Sequence, residues 1–117
     1  MAQMIDLKPL YRGDDYPIPL AFTKNGEVID ITEWKVYFTV KYHDTDSDNE
    51  AVIKYDVTEH TDPTNGKTAI MLTNGETGEL IPGKYVYDIQ YKKDDGTVKT
   101  VMKGKLKVLQ DVTKRED

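Results

Sequence analysis

The residues best suited to chemistry lie near the middle of the chain. Asp44, Asp46 and Asp48 alternate with other polar residues, and carboxylates at every second position match the first three ligands of an EF-hand calcium loop. The rest of that pattern fails, because Asn49 stands where the loop needs glycine and Tyr55 where it needs a bidentate glutamate. The segment therefore predicts a solvated hairpin tip that discourages pairing with other molecules, with calcium binding as the weaker interpretation.

Other catalytic or cofactor-binding groups are scarce. The chain has no cysteine, which removes disulfides, thiolate nucleophiles and cysteine-ligated metals. Ser47 is the only serine, and the exposed carboxylates around it are too weakly basic to activate it. His43 and His60 fall in different turn regions, which argues against a zinc pair, and no glycine-rich phosphate loop is present. We expect a protein that is not an enzyme and needs no cofactor.

Composition predicts one globular domain. The 117 residues are 38% hydrophobic and 32% charged, with a net charge of −5, and this length suffices for one hydrophobic core. We expect a single domain over residues 1–117, with an ordered core from about residue 5 to 109 and a charged tail over 110–117. The sequence shows no secretory signal and no apolar run near the ~20 residues that span a bilayer.

Hydrophobic alternation predicts about seven strands separated by turns. Residues alternate over 34–42, 67–72, 84–91 and 98–108, and shorter strands are expected at 5–10, 18–23 and 51–57. Asn-Gly, Pro-Gly and Asp-Gly pairs lie between them, and Asp95-Gly96 gives the best hairpin signal. Helix evidence is weak, since the segment 73–80 contains two glycines. These features favour an antiparallel immunoglobulin-like β-sandwich, with a small closed barrel as the alternative.

Aromatic residues divide between the predicted core and the surface. Tyr85 follows a Pro-Gly turn at the start of a strand, as in the tyrosine corner of immunoglobulin-like domains, although it could also be an ordinary strand-forming residue. The alternation assigns five aromatic residues to the core: Trp34, Tyr42, Tyr85, Tyr87 and Tyr91. The tyrosines expected at the surface are Tyr11, Tyr16 and Tyr37, and if they were coplanar they would suit carbohydrate binding.

Charge is distributed unevenly along the chain. Residues 44–62 hold seven acidic residues against one lysine, whereas residues 84–107 hold seven lysines against three aspartates. Lys103, Lys105 and Lys107 share one side of the last strand. With only two arginines in the chain, nucleic-acid binding is not expected. The row predicts a solvated face, an edge that resists pairing, or a contact between copies or with a neighbouring subunit.

The order of features from Asp14 to Val108 resembles a known family. A Gly-Asp pair at Gly13 enters a strand with two prolines, and Asp30-Ile31-Thr32 then leads into a strand ending in Phe-Thr-Val-Lys at Lys41. A later strand follows Ile-Pro-Gly-Lys-Tyr. This order resembles the N-terminal domain of bacteriophage baseplate upper proteins and related small tail proteins.

The resemblance implies a β-sandwich that anchors part of the phage tail through protein contacts, without catalysis. It implies other phage structural proteins as partners, with self-assembly of the chain as a further expectation, and neither nucleic acid nor membrane. Its implied location is the virion, and the host cytoplasm during assembly. A carbohydrate-binding module for adhesion to the host surface is the alternative. The contact residues expected from the sequence are Lys103, Lys105, Lys107, Tyr11, Tyr16 and Tyr37.

Overall fold

The computed structural model describes residues 3–4, 6–43 and 51–110, which are mostly β-structure. The strands are β1 (Gln3–Met4), β2 (Leu10–Tyr11), β3 (Tyr16–Ala21), β4 (Thr23–Lys24), β5 (Glu27–Val28), β6 (Lys35–Lys41), β7 (Ile53–Val57), β8 (Lys67–Leu72), β9 (Gly83–Lys92) and β10 (Val98–Leu109). A 3-10 turn (Pro63–Asn65) precedes β8, and one short helix, α1 (Asn74–Thr77), follows β8. No helix in the described ranges is long and apolar enough to cross a membrane.

The strands form one large sheet and two small ones. In the large sheet β7, β6, β9 and β10 are neighbours and all pair antiparallel. Both β1 and β2 pair with β10 in parallel on its other side. Between them the backbone N–H of Leu7 donates to the carbonyl of Lys105 at 3.0 Å. Strands β3 and β8 form a second, antiparallel sheet, and β4 with β5 forms a short hairpin.

The inner sides of the large sheet and of the β3–β8 sheet share one hydrophobic core. Ile18 and Ile70 from the β3–β8 sheet belong to the same buried cluster as Val36, Phe38 and Ile89 from the large sheet. Alternate residues of β6 and β9 are buried, as the period of two requires. The strands predicted at 34–42, 67–72, 84–91 and 98–108 are therefore confirmed, with boundaries that differ by at most one residue.

Three details differ from the sequence prediction. Tyr42 lies beyond the end of β6, is 45% exposed and stacks on Tyr85, so its assignment to the core was wrong. The single strand expected at 5–10 is replaced, within the described residues, by the short strands β1 and β2. A bulge at Val101 shifts the register between β10 and β9, and this places Met102 opposite the buried Ile89.

The connection from the β3–β8 sheet back to the large sheet is closed by a tyrosine corner. The hydroxyl of Tyr85, near the start of β9, donates to the backbone carbonyl of Ile81. This hydrogen bond favours the tyrosine-corner interpretation of Tyr85, which the sequence left open beside that of an ordinary strand-forming residue. Since the Tyr85 ring is buried in the core, the bond fixes the direction in which β9 leaves the turn.

A second set of hydrogen bonds joins α1 to the segment between β2 and β3. The hydroxyl of Thr77, which is fully buried, accepts from the N–H of Gly13 at 3.0 Å and donates to the carbonyl of Asp14 at 2.7 Å. The guanidinium of Arg12 donates to the carbonyls of Gly78 and Leu80. These contacts hold the chain where it passes from the large sheet to the β3–β8 sheet.

Candidate interaction surface

The outer side of the large sheet, facing away from the core, carries eight of the 16 lysines and arginines of the chain. Eight lysines alternate with buried residues along its four long strands, and we name them the lysine face: Lys35, Lys41, Lys54, Lys84, Lys92, Lys103, Lys105 and Lys107. Lys41 is half-buried and the other seven are exposed. Asp56 and Asp88 lie on the same side, so the face has a formal charge of +6. Because the whole chain carries −5, the rest of it carries −11.

The strand register turns these lysines into rows across the sheet. Lys107 lies opposite Lys84, and Lys35 lies opposite Lys92. Like charges in directly opposed positions of a sheet are destabilising, by roughly 0.2–1 kcal/mol for each pair. These two pairs therefore add nothing to the stability of the sheet, whereas Lys103 lies opposite Asp88, which carries the opposite charge.

The position of β10 inside the large sheet changes the interpretation of Lys103, Lys105 and Lys107. From the sequence, only its hairpin partner β9 could be predicted as a neighbour. The three side chains are exposed, but β10 is paired with β9 on one side and with β1 and β2 on the other. The interpretation of this row as an edge that resists pairing is therefore wrong. The row lies inside a sheet, where it is open to contact from the face alone.

Two of the three tyrosines predicted at the surface lie on the same face. Tyr11 is 52% exposed and lies opposite Leu109, one position beyond Lys107 on β10. Tyr37 is half-buried, between Gln90 and Asp56 on the neighbouring strands. The structure thus brings five of the six residues predicted from the sequence to one surface.

Tyr16 does not join them. It lies in β3, packs against the core, and its hydroxyl donates to the carbonyl of Lys8 at 2.6 Å. Burial raises the pKa of this hydroxyl above its ordinary value. The tyrosines therefore do not form the coplanar set that a carbohydrate platform would require.

The contact residues expected from the sequence include three of the eight lysines, so sequence reasoning missed five members of the face: Lys35, Lys41, Lys54, Lys84 and Lys92. Nothing local shows that β6 and β7 continue the sheet of β9 and β10. The useful signal was the alternation itself, since outward lysines on four strands of one sheet must share a surface.

The residues considered for metal binding do not converge in the described part of the chain. His60 is held inside the fold, where its Nε2 donates to the carbonyl of Trp34 at 2.8 Å and its Nδ1 lies 2.9 Å from the Thr68 hydroxyl. His43 lies elsewhere, after the end of β6. No group of three or more His, Asp or Glu side chains in the described ranges could hold a metal ion. The calcium candidates Asp44, Asp46 and Asp48 lie outside those ranges.

Comparison with known proteins identifies a similar fold. No protein-family model matches the chain, and no curated protein matches it by sequence. Among solved structures it is similar to the N-terminal domain of ORF48 of phage TP901-1, with 13% identity and a TM-score of 0.52, over 91% of this chain and 84% of that chain. ORF48 is a baseplate protein, so the predicted resemblance is confirmed for the fold.

Proposed function

We propose that this chain is a structural protein of a phage or prophage virion, and that it attaches to tail or baseplate proteins, further copies of this chain included, through its lysine face. The observation that carries the proposal is the fold, which is similar over nearly the whole chain to a domain of a phage baseplate protein. The charge of +6 on one sheet face adds a surface suited to protein contacts.

The architecture we propose is an immunoglobulin-like β-sandwich. In support, the large sheet runs β1/β2, β10, β9, β6, β7, and its inner side shares a core with the β3–β8 sheet. The Tyr85 hydrogen bond to Ile81 matches the tyrosine corner of such domains. A rigid sandwich offers broad faces for attachment and requires no moving parts.

We also propose that the chain has no catalytic role. The sequence supports this, since it has no cysteine and only one serine, while an activated nucleophile needs a neighbouring base and a group that orients it. His60, one of the two histidines, uses both ring nitrogens for contacts within the fold.

The test is the composition of the particle. Virions are purified from an induced strain that encodes the chain and are analysed by mass spectrometry, and a deletion strain is examined by electron microscopy. We expect the chain in wild-type particles and altered tails or baseplates after its deletion. If purified virions lack the chain and the deletion leaves the tails unchanged, the structural role is wrong.

A further inference from the structure

We infer that the lysine face binds the acidic end of a second copy of this chain, so that copies associate head to tail. The acidic end consists of Asp14, Asp15, Glu76 and Glu79, which are all exposed and flank the contact between α1 and the segment before β3. The inference deepens the proposed function, because it names a partner for the same face.

Charge complementarity within the chain supports a second copy as the occupant. The lysine face carries +6 while the rest of the chain carries −11, so a second copy can present a surface of opposite charge to the face. Arg12 lies among the acidic residues and leaves the acidic end a formal charge of −3. Opposed potentials of this kind orient an encounter and set its register.

The acidic end also offers an apolar contact. Ile81 is 66% exposed and follows two residues after Glu79. On the lysine face, Val86 lies between Lys105 and Lys41 in the strand register and is half-buried. An aliphatic side chain surrounded by carboxylates would thus meet an aliphatic side chain surrounded by lysines, which is the usual arrangement of an apolar centre with a charged rim.

Nucleic acid is a poorer match for the same face. The chain has only two arginines, and guanidinium groups are the side chains that recognise phosphates bidentately. Arg12 belongs to the acidic end rather than to the lysine face, and Arg115 is outside the described residues. Asp56 lies opposite Tyr37 and Asp88 lies opposite Thr39, at the centre of the face. Both carboxylates would in addition repel a phosphate backbone.

A head-to-tail contact uses two different surfaces, which allows a test with two variants. Lys105→Glu with Lys107→Glu disables the face, and Asp14→Lys with Glu79→Lys disables the acidic end. Asp15 and Glu76 are left in place, because Asp15 accepts from the N–H of Asn74 and Glu76 completes the capping box of α1. Thermal unfolding and circular dichroism verify that both variants fold.

Association is measured by analytical ultracentrifugation of the full chain at concentrations up to about 1 mM. We expect concentration-dependent assembly of the unmodified chain that weakens at high salt. Each double variant alone should associate at least about tenfold more weakly. Because one variant keeps its acidic end and the other keeps its face, an equimolar mixture should form a 1:1 dimer that does not grow further.

The matched control is Lys24→Glu with Lys67→Glu, which changes the charge equally at lysines outside both surfaces and should leave assembly unchanged. The inference is wrong if the unmodified chain stays monomeric at the highest concentration, if the mixture yields no dimer, or if the face binds a DNA duplex while copies do not associate. None of these outcomes bears on whether the chain is present in virions, which the mass spectrometry decides separately.

Discussion

The two outer sheet surfaces differ in charge although their inner sides share one core. The outer side of the large sheet carries eight lysines. The outer side of the β3–β8 sheet presents Pro17, Pro19, Ala21 and Met71, with Lys67 as its charged residue. Since burial of the inner sides suffices to hold both sheets, each outer surface was free to take a composition that suits its role.

The two prolines of β3 protect the free edge of that strand from pairing with a strand of another molecule. Because a proline has no N–H, Pro17 and Pro19 cannot donate to β8, and the ladder must run through Tyr16, Ile18 and Leu20. The nitrogens of both prolines therefore face the other edge of β3, where two backbone donors are missing. An edge of this kind resists the addition of a strand, so the large sheet is the better surface for contact.

The largest expected effect tests whether the two inner sides form one core. Phe38 in β6 and Ile70 in β8 are both fully buried, and we expect Phe38→Ala to cost about 3–5 kcal/mol and Ile70→Ala about 2–5 kcal/mol of unfolding free energy. Urea denaturation measures both. Phe38→Leu, with a smaller cost, covers the case in which the alanine variant does not fold.

Lys35→Ala is the matched control, because Lys35 lies in the same strand as Phe38 but on the outer side of the sheet. We expect it to change the unfolding free energy by less than about 0.5 kcal/mol. If Ile70→Ala cost no more than this control, the β3–β8 sheet would not share the core of the large sheet.

Much of this organisation could be predicted from the sequence, because it is local. Alternation placed Phe38, Ile70 and Ile89 inside, and Pro-Gly followed by Lys-Tyr predicted the Tyr85 hydrogen bond. The helix α1 was also within reach, since Thr73 and Glu76 form a Thr-x-x-Glu capping box, although two glycines made the segment a poor helix by propensity.

The lysine face could not be predicted as a unit, because it depends on pairing between distant strands. Lys54 and Lys103 are almost fifty residues apart in the chain and meet on one face only through the order β7, β6, β9, β10. The position of β10 inside the sheet depends on the N-terminal segment, whose short strands give almost no alternation signal. The turn that exposes Tyr42 likewise follows from where β6 ends.

A smaller effect is expected at alkaline pH and arises in the large sheet. Burial raises the pKa of Tyr85 and Tyr87 to about 12 in the folded chain, whereas an unfolded tyrosine ionises near pH 10. The folded state keeps these protons to higher pH, so the contribution of the two tyrosines to the free energy of unfolding should be constant below about pH 10 and fall between about pH 10 and 12.

Urea unfolding across this pH range measures the slope. Tyr87→Phe removes one of the tyrosines whose pKa is raised by burial and should make the decline shallower, while Tyr11→Phe, at an exposed site, should leave it unchanged. An identical slope for Tyr87→Phe and the unmodified chain would show that burial of this hydroxyl does not couple to folding.

The smallest expected effect on folding concerns the lysine face itself. Lys107→Glu places a carboxylate opposite Lys84 instead of a second ammonium group, so the unfolding free energy should stay the same or rise by roughly 0.2–1 kcal/mol. Met71→Lys, on the outer side of β8, should be close to neutral. Urea denaturation measures both. A marked loss of stability in Lys107→Glu would mean that the row supports the fold. A stabilising result, together with loss of association, would mean that the row persists at some cost to folding because another molecule binds it.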